Sequence, residues 1–338
     1  MTGSGVRKRI LITGGNGLIG RAVTQNLMAR NNCDLKVQVR DKRAARAEVG
    51  DQIDFTKVQL EDGDFTRMGD REMAYLTRGC NIVVHAAGLV HKPDAPYQEY
   101  EVVNVRATQA LAEASAQNGV DTFIFLSSSA VYGTGPFELV DEKAALQGKT
   151  PYAVSKMASE HWLMMQQQSI PRIIVLRPSL VFGEGDRGNV LNLIKSIKQN
   201  KYKHVGNASA SKSVIYSKDL AHAISLCMDR LPPGYHVFNL ANPTPISVKD
   251  LTEDIAETLG MPRKIQSVPT GLLKFGVKAA EIFMKDNAPI NSDQLAKLTT
   301  TTTCSVDKLV KDTGFQPRVE LKSALRAEID WATSNNLL

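Results

Sequence analysis

Cysteine is scarce in this sequence, and the four present (Cys33, Cys80, Cys227 and Cys304) lie far apart with no CxxC or Cys/His ligand spacing. That excludes a zinc-ribbon or disulfide framework. Met1-Thr2-Gly3-Ser4 opens no signal peptide, so the reading is a reduced, cytoplasmic protein without metal or disulfides. No apolar run reaches the roughly 20 residues that span a bilayer. No block of like charge is present either. Net charge is +6, acidic and basic residues are mixed, and Arg7-Lys8-Arg9 is too short for a nucleic-acid tail. A mildly basic surface suits an anionic substrate without selecting one.

What remains is a globular composition, 43% hydrophobic and 22% charged over 338 residues, enough for one large domain or two ordinary ones. Short apolar runs alternate with helical spacing. Strands are expected at Ile10–Ile12, Leu35–Val39, Phe55–Leu60, Ile82–His85, Thr122–Leu126 and Arg172–Leu176, and a seventh at His236–Leu240. Helices are expected at Val102–Gln117, Tyr152–Gln168, Asn189–Gln199, Lys218–Asp229, Val248–Leu259, Ser305–Lys311 and Leu321–Trp331, with Ser247 an N-cap. The threonine run Thr299–Thr303 reads as an extended segment. Nearly continuous apolar strands alternating with helices specify an α/β doubly wound parallel sheet, with ligands at the carboxyl ends of its strands.

At the first of those ends stand Gly14, Gly17 and Gly20, three apart between a strand and a helix. Glycine there permits a tight turn, a close backbone approach to a pyrophosphate and close helix packing, and the helix N-terminus favours phosphate. A tight βα turn needs glycine anyway, so the pattern gains weight only from company. Tyr152 and Lys156 supply it, four apart on one helical face, with Pro151 suited to the first turn. An adjacent ammonium stabilises phenolate, which makes the pair a proton-transfer device. The preceding strand ends in three serines, Ser127 to Ser129, able to donate to a reacting oxygen. Gly183-Glu184-Gly185-Asp186-Arg187-Gly188 also fits GxGxxG, but it opens no βαβ unit and so is no second dinucleotide site. Free N–H groups at Asn189 and Val190 could still attract an anion there.

These motifs, in order with His85-Ala86-Ala87-Gly88, Asn104-Val105-x-x-Thr108, Leu126 to Gly133 and Arg177-Pro178 to Gly183, resemble the extended short-chain dehydrogenase/reductases. More closely the chain is similar to their NAD(P)-dependent nucleotide-sugar epimerase, dehydratase and reductase family. The resemblance covers nearly the whole chain. It implies a Rossmann domain over 1–178 and 212–241, and a smaller, discontinuous substrate-binding domain over 179–211 and 242–338. It also implies Tyr152 as acid/base, Lys156 as its neighbour and ribose ligand, and Ser128, four before Tyr132, as the partner of the substrate oxygen. Gly14, Asn16, Gly17, Leu18, Ile19, Gly20, Asp64, Ala86, Ala87, Gly88, Asn104 and Pro178 fall at its cofactor-contacting positions. His91, Ser129, Asn189 and Lys212 fall near its substrate-contacting ones.

Arg40 stands where an acid would grip the ribose 2′-hydroxyl of NAD, and arginine there favours the 2′-phosphate of NADP. Dehydrating relatives carry Asp-Glu where this chain has Ser129 and Ala130, which argues against a dehydratase. The expected activity is hydride transfer at C4 of a nucleotide-diphosphate sugar, as a UDP-hexose 4-epimerase-like enzyme of surface-polysaccharide synthesis. An NADPH-dependent 4-keto-sugar reductase is the first alternative, and a 3β-hydroxysteroid-type dehydrogenase the second. The apolar stretch Gly271–Met284 reads as a helix packed on the core in preference to one resting on a membrane, and a homodimer through the Val102–Gln117 and Tyr152–Gln168 helices is expected.

Overall fold

The computed structural model describes residues 7–90, 92, 95–269 and 299–338. His91 and the Gly271–Met284 stretch lie outside them. Seven strands build one parallel sheet: β1 (Lys8–Thr13), β2 (Cys33–Val39), β3 (Gln59–Asp62), β4 (Ile82–His85), β5 (Thr122–Leu126), β6 (Arg172–Pro178) and β7 (Gly234–Leu240). Their spatial order is β7-β6-β5-β4-β1-β2-β3, so the direction of winding reverses between β1 and β4. A crevice opens at that reversal, outside the carboxyl ends of the strands.

The strands are apolar throughout because both faces are covered. On one face Ile10, Ile12, Val37, Ile124 and Ile174 pack under α1 (Leu18–Arg30) and α7 (Ser217–Arg230). On the other, Leu11, Val83, Phe123 and Phe125 pack under α3 (Asp70–Thr77), α4 (Ala107–Gln117) and α5 (Pro151–Met164). The alternation of Ile10, Leu11 and Ile12 between faces is the period-two geometry of a strand. Leu11, Ile12, Phe123 and Phe125 are wholly buried, so truncating either phenylalanine to alanine would cost about 3–5 kcal/mol.

A third core gathers Phe182, Val190, Ile194, Leu251, Ile255 and Leu325. It lies among α6 (Asn189–Lys198), α8 (Val248–Thr258) and α10 (Leu321–Ser334). By contrast α9 (Asp307–Thr313) contributes Leu309 to the first sheet face. Local signals set these helices. The Ser247 side chain accepts from Asp250 N–H at the start of α8, Thr150 does the same for Ala153 ahead of Pro151, and Gly314 turns left-handed (φ +64°) beyond α9.

Two expected elements differ. The third strand falls later, at Gln59–Asp62, because Phe55 and Val58 pack on the core from the preceding turn. The Val102–Gln117 helix is interrupted by a π-helical turn at Glu101–Arg106, which leads into α4. The threonine run is extended as expected, contributing a strand at Thr302–Cys304 between Phe137–Val140 and Ser211–Lys212 in a small four-stranded sheet.

Candidate active site

The glycine turn sits where β1 meets the crevice. Gly14 has φ +67°, and a Cβ there would come within 2.8 Å of Ala87 Cα. At Gly20 a Cβ would lie 2.2 Å from the Gly14 carbonyl oxygen, so no side chain fits between the helix and the turn. Gly14 N–H donates to Gln38 Oε1 (3.1 Å) and Gly17 N–H to the Gly14 carbonyl (2.9 Å), closing the turn. No side chain caps α1, which begins at Leu18 and Ile19, so its first N–H groups face the crevice free of an internal carboxylate. Asn16 spends its side-chain amide on Glu48 Oε2 (2.9 Å) in α2 (Lys42–Val49), tying the turn to the neighbouring helix.

Behind the turn His85 is fully buried and holds three segments together. Thr108 Oγ1 donates to the Asn104 carbonyl (2.6 Å), so it accepts from His85 Nε2–H (3.0 Å), and His85 Nδ1 accepts from Thr13 Oγ1 (2.8 Å). Thr13 Oγ1 in turn accepts from Ala87 N–H (3.2 Å), which sets the Ala86–Gly88 loop. Burial pushes the His85 imidazole down to about 3, so the ring is neutral.

At the end of β2, Arg40 is exposed and Asp41 is not free to grip a ribose. Its carboxylate accepts from Ala44 N–H (2.8 Å) as the N-cap of α2. Asp64 accepts from both the N–H and the hydroxyl of Thr66 (2.9 and 2.8 Å), bonds that lower its carboxyl pKa. It caps a turn, with Arg40 near enough to add to that lowering.

The chemistry-bearing side chains converge at the ends of β4 and β5. Asn104, in the π-helical turn, accepts from Leu89 N–H (2.7 Å) and donates to Ser155 Oγ (3.0 Å), joining the loop after β4 to α5. Such turns open a helix to non-helical partners, and here the freed Asn104 carbonyl also receives Ser159 Oγ (2.9 Å). The Ser128 hydroxyl lies beside the Tyr152 phenol, near enough to lower its pKa. Ser128 Oγ also accepts from Ala130 N–H (3.2 Å), which orients it. Lys156 is buried, its Nζ donating to the Leu126 carbonyl (2.7 Å) and lying 4.7 Å from the Phe125 ring centre. A Cβ on Gly88 would sit 3.2 Å from Asn104 Oδ1 and 3.4 Å from that Nζ, so the loop packs closely against both side chains.

Two electrostatic expectations are corrected. Desolvation raises the Tyr152 phenol to about 12 against a smaller lowering by the Ser128 hydroxyl, and burial lowers the Lys156 ammonium to about 8 against a smaller raising by Glu160. Lys156 Nζ stands 6.0 Å from the Tyr152 ring centre, turned to the Leu126 carbonyl. The ammonium therefore does not itself acidify the phenol in this arrangement. The second concerns α6. Its N-terminus is partly taken, because Asp186 accepts from Gly188 N–H (2.7 Å) and Leu191 N–H (3.0 Å), on either side of Asn189 and Val190. An internal carboxylate already sits where an anion was expected.

The remaining residues lie further out. Ser129 opens the short 3-10 turn after β5, and Pro178 ends β6, buried. Asn189 is exposed at the head of α6. Lys212 donates to the Thr300 carbonyl (2.6 Å) and Thr302 Oγ1 (3.1 Å), which commits two of its protons to the threonine run. Two residues escape sequence reasoning. Gln38 binds the Gly14 N–H and the Gly63 carbonyl across the turn, with no motif to mark it. Glu160 lies beneath the site, and its one signal is its place four residues beyond Lys156 on the same helical face.

The glycine cradle, the uncapped α1 and the clustered Ser128, Tyr152 and Lys156 fit a nicotinamide dinucleotide, and together with this sheet order they define a short-chain dehydrogenase/reductase. The chain belongs to the NAD dependent epimerase/dehydratase family, whose model matches residues 10–241. It is similar to the UDP-glucose 4-epimerase of Vibrio cholerae, 26% identical over 94% of each chain. It is also similar to an N-acetyl-alpha-D-glucosaminyl-diphospho-ditrans,octacis-undecaprenol 4-epimerase of Escherichia coli O157:H7, 28% identical over 78% of this chain and 77% of the other. Among solved structures, UDP-glucuronic acid 4-epimerase from Bacillus cereus in complex with NAD superposes with a TM-score of 0.78 at 20% identity, covering 97% of this chain and 99% of that one. Among the described residues no helix is long and apolar enough to cross a membrane.

Proposed function

We propose that the protein is an NAD(P)-dependent 4-epimerase of a nucleotide-diphosphate sugar. The observation that carries this reading is the meeting of Tyr152, Ser128 and Lys156 beside the glycine turn, at the point where the sheet reverses. A nicotinamide held there would supply the hydride chemistry at the sugar carbinol. Tyr152 holds and moves the proton at the sugar O4, and Ser128 donates a hydrogen bond to that oxygen. Lys156, its ammonium lowered to about 8 by burial, would hold the nicotinamide ribose. The α1 N-terminus and the Gly14–Gly20 backbone take the pyrophosphate. His91, Ser129, Asn189 and Lys212 are assigned to the sugar-nucleotide side. Lys212 would act there as a point charge without a bidentate fork.

One observation favours a second reading, an NADPH-dependent 4-keto-sugar reductase. Arg40 is free at the end of β2 while Asp41 is consumed as a cap, an arrangement suited to a 2′-phosphate. A surface-polysaccharide role remains the biological setting of both. The third core supports a cofactor half over 1–178 and 212–241 and a substrate half over 179–211 and 242–338, except that α9 and Phe315 pack with the sheet while Val214 and Tyr216 join the third core. Exposed Val154, Met164 and Met165 along and just beyond α5 suit a homodimer built on that helix.

Mixing pure protein with UDP- and dTDP-sugars while following NAD(P)H absorbance and the sugar-ring NMR spectrum tests both readings. Isomerised sugar with the cofactor unspent supports the epimerase. Stoichiometric oxidation of NADPH supports the reductase, and no reaction with any of these sugars rejects both.

A further inference from the structure

Beneath the acid/base residues lies a buried ion pair that the proposed chemistry does not use. Glu160 on α5 and Arg177 on β6 meet at 2.6 Å with 4% and 6% of their side chains exposed. Arg177 Nε adds contacts to both Glu160 oxygens (3.1 and 3.2 Å), while its Nη1 donates to the Tyr132 hydroxyl (2.9 Å) and the Glu142 carbonyl (3.2 Å). Tyr132 donates on to Asn239 Oδ1 (2.7 Å) at the end of β7. The arginine is thus fixed from several sides and the carboxylate is fixed by the arginine.

The Glu160 carboxylate also accepts from Ser127, whose hydroxyl donates to Oε1. Ser127 is flanked by the two residues that touch the site. The Leu126 carbonyl receives Lys156 Nζ at 2.7 Å, and the Ser128 side chain meets Tyr152. Along an extended segment, side chains alternate between faces. Ser127 points away from the crevice into the ion pair, while Ser128 points toward it. Ser127 N–H is held as well, by the Leu176 carbonyl of β6 (2.7 Å).

We propose that Glu160, clamped by Arg177, is a positioning residue of this enzyme: by pinning Ser127 it sets the Leu126 carbonyl that receives Lys156 and the Ser128 hydroxyl that meets Tyr152. The inference rests on the function proposed above and adds residues that touch neither substrate nor cofactor. A buried ion pair brings little net stability over a well-packed apolar pair, whereas breaking one side is costly. Its value here is geometric, since a displacement of about 1 Å in a reacting constellation costs on the order of 100-fold in rate. The charged and titratable groups facing Lys156 are Glu160 and Tyr152 on its own helix and His85 from β4, with Arg177 behind Glu160 from β6.

The test uses the full-length protein with carbon-13 in lysine Cε and tyrosine Cζ. The Lys156 and Tyr152 signals are assigned through Lys156→Met and Tyr152→Phe. Ser127→Ala is expected to move the pH midpoints of both signals. With the sugar nucleotide found by the mixing experiment, it lowers kcat by about tenfold or more and leaves KM within about twofold. Ser127→Thr, which restores the hydroxyl, is expected to return both. Should Ser127→Ala not fold, Ser127→Cys, which keeps the side chain's shape and weakens its donation to Glu160 while leaving the ion pair's charges in place, carries the same measurements. A lowered melting temperature with both midpoints unmoved overturns the proposal and leaves the pair a structural strut. If the wild type turns over no nucleotide sugar, the proposed function fails, while the two midpoints still decide whether Glu160 and Ser127 position Lys156 and Tyr152.

Discussion

Tyr152 is held among groups that suit it to carry a proton and do not suit it to lose one spontaneously. Burial raises the phenol, and the Ser128 hydroxyl only partly offsets that. Replacing Tyr152 by Phe removes the transferable proton and nothing of the glycine cradle. Turnover is expected to fall by about 100-fold to 10,000-fold, with NAD(P)H affinity, read by fluorescence titration, within a few-fold of wild type. His85 makes the opposite kind of contribution. Its folded value near 3 lies below the ordinary imidazole value of 6.5, chiefly through burial with the Lys156 charge adding to it. The unfolded chain therefore takes up a proton that the folded chain refuses. Stability from this group is complete above pH 6.5 and is lost as pH falls toward 3, at up to about 1.4 kcal/mol per pH unit. Urea unfolding at pH 7.5, 5.5 and 4.5 is expected to show that slope in the wild type. In His85→Gln the slope is expected to be correspondingly shallower.

At the scale of elements, two junctions carry the site. The turn between β1 and α1 works because Gly14 is left-handed and stands against Ala87. Gly14→Ala places a methyl 2.8 Å from Ala87 Cα in a conformation unfavourable to any side chain. It is expected to cost about 1–3 kcal/mol in chemical unfolding and to weaken NAD(P)H binding in the same titration. The second junction joins α10 to the loop after Phe182. Glu328, fully buried, accepts from Gly183 N–H (2.8 Å) and faces Asp186. Burial, reinforced by the Asp186 charge, pushes its carboxyl up to about 9. The folded value lies above the unfolded one of 4.5, so the stability it brings is full below pH 4.5 and declines as pH rises toward 9. Glu328→Gln keeps the acceptor and removes the titration. Calorimetry is expected to show its melting temperature a few degrees above wild type at pH 8.5 and the gap narrowing by pH 6.

For the whole molecule, the sheet holds the glycine turn, Asn104, Ser128 and Lys156 at one end while a separate core carries the loop after Phe182 and the α8 and α10 helices. Exposed Met164 and Met165 beside α5 lead to a further expectation. Sedimentation at micromolar concentration should report a dimer, and Met164→Glu with Met165→Glu should convert it to monomer without loss of the fold by circular dichroism.

The sequence by itself determined the sheet, its parallel winding and the order of its motifs. Two-sided burial writes an almost unbroken apolar strand, and a left-handed turn writes glycine. Strands β4 and β5 fall at the expected residues, and Ser247, Pro151 and Gly314 mark helix ends by local chemistry alone. Only the tertiary structure decided where each long polar side chain points. Lys156 turns to the Leu126 carbonyl and Lys212 to the threonine run. Each choice depends on an acceptor or donor from a distant segment, supplied by the packing of sheet and helices. A local pattern fixes backbone conformation because its causes lie within a few residues. The partner of a buried charge is fixed by whichever group the completed fold brings within about 3 Å, and no spacing along the chain encodes that.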